Sequence, residues 1–170
     1  MRKGVVSLLI VVCVVMLTGF LGLGESEVEL ETKATKLAKE VQRGEYMLIT
    51  TAELKADLDG KKDILVIDTM PYEASYKKNH IPGAKQFLFP IPDMEKWDIK
   101  ETAGKTQEEF EELLGADKDR MIVFYCGFVK CTRSHNGAVW AKKLGYTNVY
   151  RQAGGIKAWK EAGYPVNEIN

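Results

Sequence analysis

Two cysteines, Cys126 and Cys131, lie five positions apart beside Lys130 and Arg133. The apolar run Met121-Ile122-Val123-Phe124-Tyr125 leads into Cys126, and a helical pattern runs from about Ser134 to Leu144. A thiol between a buried strand and a helix start faces unpaired backbone N–H groups. The helix dipole favours its ionised form. The expectation is a reactive Cys126 thiolate at neutral pH. Beside it should lie an anion pocket formed by Gly127, Phe128, Val129, Lys130, Cys131, Thr132 and Arg133. The plain alternative, an inert buried cysteine, fits poorly with a glycine-containing basic loop. A disulfide between the two would close a very short loop and add little stability, so their proximity points to chemistry.

Other side chains are expected to support this centre. Asp68 ends an aliphatic run and is expected to orient the loop by accepting hydrogen bonds. His80, in a turn, is expected to bond backbone. Ser134 and His135 follow the loop directly. For His135 a surface or capping role is expected ahead of one in tuning Cys126. Trp97 and Trp159 read as packing residues. Two cysteines and two distant histidines make no zinc set, so no metal and no cofactor are expected.

The elements that must position these residues alternate. Strand-type runs occur at Tyr46–Ile49, Ile64–Ile67, Gln86–Phe89, Met121–Tyr125 and Val149–Tyr150. Capping boxes at Thr50/Glu53 and Thr106/Glu109 open helices, a short helix is expected over Tyr72–Lys78, and another follows Gly154-Gly155. Pro90–Lys105 reads as a loop. The alternation predicts an α/β fold with a parallel central sheet of about five strands and helices on both faces. Ligands of such sheets bind beyond the carboxyl ends of the strands, which is where Cys126 falls.

Four segments resemble the rhodanese-like family in the right order. They are Leu65-Val66-Ile67-Asp68, His80-Ile81-Pro82-Gly83-Ala84, Phe124-Tyr125-Cys126, and Gly154-Gly155 through Trp159 with Gly163-Tyr164-Pro165-Val166. The resemblance implies that Cys126 carries a transferred sulfur as a persulfide. It also implies a small sulfur-containing anion as donor and a thiol, cyanide or protein as acceptor. The sequence departs from the family pattern twice. Met70 stands where an arginine is common, and six residues rather than four separate Cys126 from Arg133. The paired cysteines with Ser134 resemble a two-cysteine subgroup. Phosphatases and arsenate reductases of this fold also lengthen the loop, though by less. An oxyanion enzyme and a non-enzymatic sulfur carrier therefore stand as alternatives.

The 170 residues suit one domain with accessory sequence, and 45% apolar with 28% charged residues is an ordinary globular balance. The formal net charge of zero gives no support for a nucleic-acid partner. Arg2 and Lys3 precede an uncharged run from Val5 to Leu23, the pattern of a signal peptide or an N-terminal anchor over 1–24. Either reading places the remainder outside the cytoplasm, in the periplasm, with a membrane tether through 4–24 if the run is retained. No cysteine follows Leu17-Thr18-Gly19, so lipid attachment is not expected. Residues 25–45 read as a charged linker or helical spacer without chemistry, and 46–170 as the domain.

Overall fold

The computed structural model describes residues 24–169, so the expected signal or anchor lies, except for Gly24, outside the described residues. Among the described residues no helix is long and apolar enough to cross a membrane. The strands are β1 (Met47–Leu48), β2 (Ile64–Asp68), β3 (Lys85–Gln86), β4 (Met121–Tyr125) and β5 (Val149–Gln152). The α-helices are α1 (Glu27–Gly44), α2 (Thr51–Asp59), α3 (Gln107–Leu114), α4 (Arg133–Lys143) and α5 (Gly155–Glu161), with a single π-helical turn at Tyr72–Tyr76. The chain divides between Thr32 and Lys33 into two compact units. In the first, Ser26 and Glu29 cap each other reciprocally, side chain to backbone N–H. The second carries the sheet.

All strand pairs are parallel, in the order β1-β5-β4-β2-β3. The two longest apolar runs are neighbours at its centre, in register from Ile64 against Met121 to Asp68 against Tyr125. Side-chain alternation then builds two cores. Leu65, Ile67, Ile122 and Phe124 face one core with Phe87, Phe89, Phe110, Leu114 and Trp140. Val66, Val123 and Tyr125 face the other with Leu54, Ile81, Ile156 and Trp159. Each core thus takes side chains from its own pair of helices, α3 and α4 or α2 and α5. A central strand buried on both faces accordingly reads as a continuous apolar run rather than an alternating one.

Both expected capping boxes form. The Thr50 hydroxyl accepts from Glu53 N–H at 3.2 Å while Glu53 accepts from Thr50 N–H at 2.9 Å, and Thr106 with Glu109 repeats the pattern. The outer strands are shorter than expected, two residues each. At one edge Ile49 N–H still bonds Arg151 O, and at the other Phe87 and Phe89 bond Asp68 O and Thr69 O. Those phenylalanines have turned into the aromatic core, and Pro90 ends the segment. The fifth strand is longer than expected and includes the fully buried Arg151 and Gln152.

Candidate active site

The carboxyl end of β4 delivers Cys126 directly onto the start of α5. Ile156 N–H donates to Cys126 O at 2.8 Å and Lys157 N–H to Gly127 O at 3.0 Å. This contact requires Gly155. Its φ is +66°, and a Cβ there would stand 2.4–2.6 Å from Cys126 O, Gly127 C and Phe128 N. The second glycine of the Gly154-Gly155 pair is therefore fixed by close backbone approach as well as by its torsion. Met70 packs on the loop from the other side, its thioether 3.6–3.8 Å from where a Gly127 Cβ would lie.

The loop then turns its oxygens inward. Cys126 has no exposed surface. Its Sγ lies 3.2 Å from Cys131 O, 3.9 Å from Phe128 O and 3.2 Å from Ser134 Oγ. Burial pushes the Cys126 thiol well above its ordinary range, against the opposing hydrogen bonds from Ser134. The expectation of a Cys126 thiolate is corrected here: of the expected inward amides only Ser134 N–H reaches the sulfur, and burial outweighs it. A fully buried sulfur facing two carbonyl oxygens keeps its proton.

The charge falls on Cys131 instead, which retains 8% exposure. Its thiol is lowered to about 6, first by the Cys126 thiol directed at it. The N–H groups of Arg133 and Gly127 and the Arg133 charge add to this, against the cost of burial. The amides of Gly127 and Arg133 thus serve the outer sulfur, and Ser134 serves the inner one. Cys126 and Cys131 are both free thiols.

The rest of the loop is distributed differently from the expected pocket. Arg133 donates through Nη1 to Phe89 O and Thr132 through Oγ1 to Ile91 O, so both side chains tie the 89–91 segment. Asn136 joins them, donating to Pro90 O and Pro92 O at 2.8 Å. Phe128 and Val129 form a half-exposed tip, and Lys130 is exposed, its carbonyl accepting from Lys36 Nζ at 3.4 Å.

Sequence reasoning missed the residue beneath the loop. Arg151, on β5, donates from Nη2 to Cys131 O at 2.8 Å and from Nε to Ser134 Oγ at 2.9 Å. Its Nη1 meets Glu40 Oε2 at 2.5 Å and Tyr46 OH at 3.2 Å. Because the Ser134 oxygen accepts from Arg151, its own proton is available to Cys126 Sγ. Glu40 and Gly44, on α1, are buried, so the spacer expected to be free of chemistry supplies the counter-ion of the loop.

The histidines are structural. His135 is buried, not at the surface as expected. Arg43 can only donate, so the His135 Nε2 it meets at 2.9 Å is the acceptor and the ring proton sits on Nδ1, bonded to Tyr46 OH at 2.9 Å. Burial lowers this imidazole to about 4. His80 bonds Tyr76 O through Nδ1 at 2.9 Å and stacks on the Tyr76 ring at 4.1 Å. Asp68 accepts from Met70 N–H at 2.9 Å and bonds no group of the 127–133 loop. Its Oδ2 has no hydrogen-bond partner, and burial raises the carboxyl to about 6. Trp97 and Trp159 pack as expected. Among the described residues no His, Cys, Asp and Glu cluster suited to a metal forms.

Comparison with known proteins agrees with this architecture. The family model "Rhodanese-like domain" matches residues 50–162. Rhodanese-like domain-containing protein 14, chloroplastic, of Arabidopsis thaliana is 30% identical, over 81% of this chain and 76% of its own. A thiosulfate sulfurtransferase from Pseudomonas aeruginosa superposes with a TM-score of 0.58 at 20% identity, covering 81% of this chain and 23% of that one. A protein from Rhodopseudomonas palustris called a possible tyrosine phosphatase superposes at 0.52, with 24% identity over 75% of this chain and 91% of that one.

Proposed function

This chain belongs to the rhodanese-like domain family, and from that premise we propose that it is a sulfurtransferase whose Cys126 takes sulfane sulfur from a small anion such as thiosulfate or polysulfide. The reading is carried by Ser134. Its oxygen is engaged by Arg151, so its proton faces the Cys126 sulfur at 3.2 Å, a donor matched to a charged sulfur. Cys126 attacks the outer sulfur of the donor, its proton passing to water as the loop opens. The persulfide forms and the remaining anion, sulfite for thiosulfate, leaves. Entry requires the 127–131 turn to lift, since Cys126 is sealed. That turn is tied within itself by Cys131 N–H to Phe128 O at 2.9 Å. A thiol, cyanide or protein acceptor then removes the sulfur.

The oxyanion reading has a structural neighbour called a possible phosphatase in its favour. Against it, a tetrahedral oxyanion needs several converging N–H groups, whereas two carbonyls and a single amide, that of Ser134, face Cys126, and Arg133 Nη1 bonds Phe89 O. The uncharged run of residues 5–23 supports placing the domain outside the cytoplasm, free or tethered. Loading with thiosulfate and titrating cyanide-reactive sulfur tests the reading. Cys126→Ser should lose about 10³-fold or more of the transfer rate. Undiminished loading of that variant would refute it.

A further inference from the structure

A lone persulfide carrier needs one thiol, and this loop buries two. The inner sulfur has no exposed surface, so an external acceptor reaches it only through an opened loop. Cys131 is already inside: its backbone oxygen lies 3.2 Å from Cys126 Sγ, and the two cysteine side chains are in hydrogen-bond contact. The loop and Arg151 hold it there, since Arg151 Nη2 fixes the Cys131 carbonyl at 2.8 Å. We propose that Cys131 is a resolving thiol that attacks the Cys126 persulfide, so that the protein releases sulfide and closes a Cys126–Cys131 disulfide.

The inference rests on sulfur loading at Cys126 as proposed above. In the first step the Cys126 sulfur bonds to the donor's outer sulfur and the donor's sulfur–sulfur bond breaks, releasing sulfite. In the second, the Cys131 thiolate bonds to Cys126 Sγ, the Sγ–outer sulfur bond breaks, and the outer sulfur takes a proton from water and leaves as hydrogen sulfide ion. Two thiols and one thiosulfate thus give one disulfide, one sulfite, one hydrogen sulfide ion and one proton. The sulfane sulfur is the oxidant and gains the two electrons that the thiols lose. A low-lying thiol at Cys131 keeps the attacker ionised at neutral pH. The disulfide closes so short a loop that it adds little stability, and an external dithiol would restore the pair.

The test uses the full chain, reduced, desalted and kept free of oxygen, mixed with excess thiosulfate and no thiol or cyanide. The wild type should release about one sulfide per chain and end about 2 Da lighter than its reduced form, two hydrogens lost. Peptide mapping should place the bridge between Cys126 and Cys131 rather than at Cys13. Cys131→Ser, with Cys131→Ala in parallel, should gain about 32 Da and release no sulfide until a dithiol is added. A wild type that keeps the added sulfur, makes no sulfide and leaves Cys131 open to alkylation would overturn the resolving role while leaving sulfur transfer standing. Failure of both Cys131 variants and the wild type to take up sulfur would overturn the loading step, and the resolving role with it. The wild-type measurement decides even if the variants fail to fold.

Discussion

The two ends of the cysteine loop are held by different forces. The Cys126 end is gripped chiefly by backbone: carbonyls of Cys126 and Gly127 meet N–H groups of α5, and Gly155 lets the chains touch. The Cys131 end is held by side chains, through a guanidinium from β5 paired with a carboxylate from α1. Backbone contact seals a sulfur and leaves it neutral, whereas the end rich in donors yields the ionised one. One loop thereby pushes one thiol up and the other down, through burial on one side and hydrogen bonds on the other.

That contrast makes the side-chain end the more fragile. Arg151→Met should cost about 3–5 kcal/mol in urea unfolding, because it leaves the buried Glu40 carboxylate with only the half-exposed Lys36 at 3.6 Å as a partner. Adding Glu40→Gln should return at least about 1 kcal/mol of that loss. A double variant no more stable than the single would show that the pair is not what holds this end. At the backbone end, Gly155→Ala should cost about 2–4 kcal/mol, from a strained torsion and a clash with main chain that cannot retreat. Stability within about 0.5 kcal/mol of wild type would mean that the grip is looser than the geometry states. The smallest effect separates the sulfurs themselves. Alkylation of Cys131 should climb as pH rises through about 6 and level off above it, since only the thiolate reacts. In Cys126→Ala the midpoint should move upward, because the neighbouring thiol is the largest cause of the lowered value. An unchanged midpoint would assign the acidity to the backbone donors instead.

The same division decided what could be read from the sequence. The central strands announced themselves as uncharged β-branched and aromatic runs, and the capping boxes at Thr50 and Thr106 repeated in space what they spelled in sequence. The Gly154-Gly155 pair was legible too, because a glycine needed for close approach leaves a mark at one position. Arg151 and Glu40 left no such mark. Each looks solvent-seeking, and they pair across 111 positions of chain. An arginine in Val149-Tyr150-Arg151-Gln152 therefore read as the end of a strand when it was its centre of gravity. The protonation of the two cysteines was inverted for a related reason. Helix-start amides were expected to point at the first thiol, but only Ser134 N–H does so; the longer loop places two carbonyls there and presents the amides of Gly127 and Arg133 to the second.

Both margins of the sheet, β1 and β3, are only two residues long. A foreign strand would find almost no ladder to extend before the chain bends away. The molecule can therefore expose Met47 and Leu48 at one rim without offering a template for amyloid-like growth. Colloidal safety in a crowded compartment is built into the brevity of its borders.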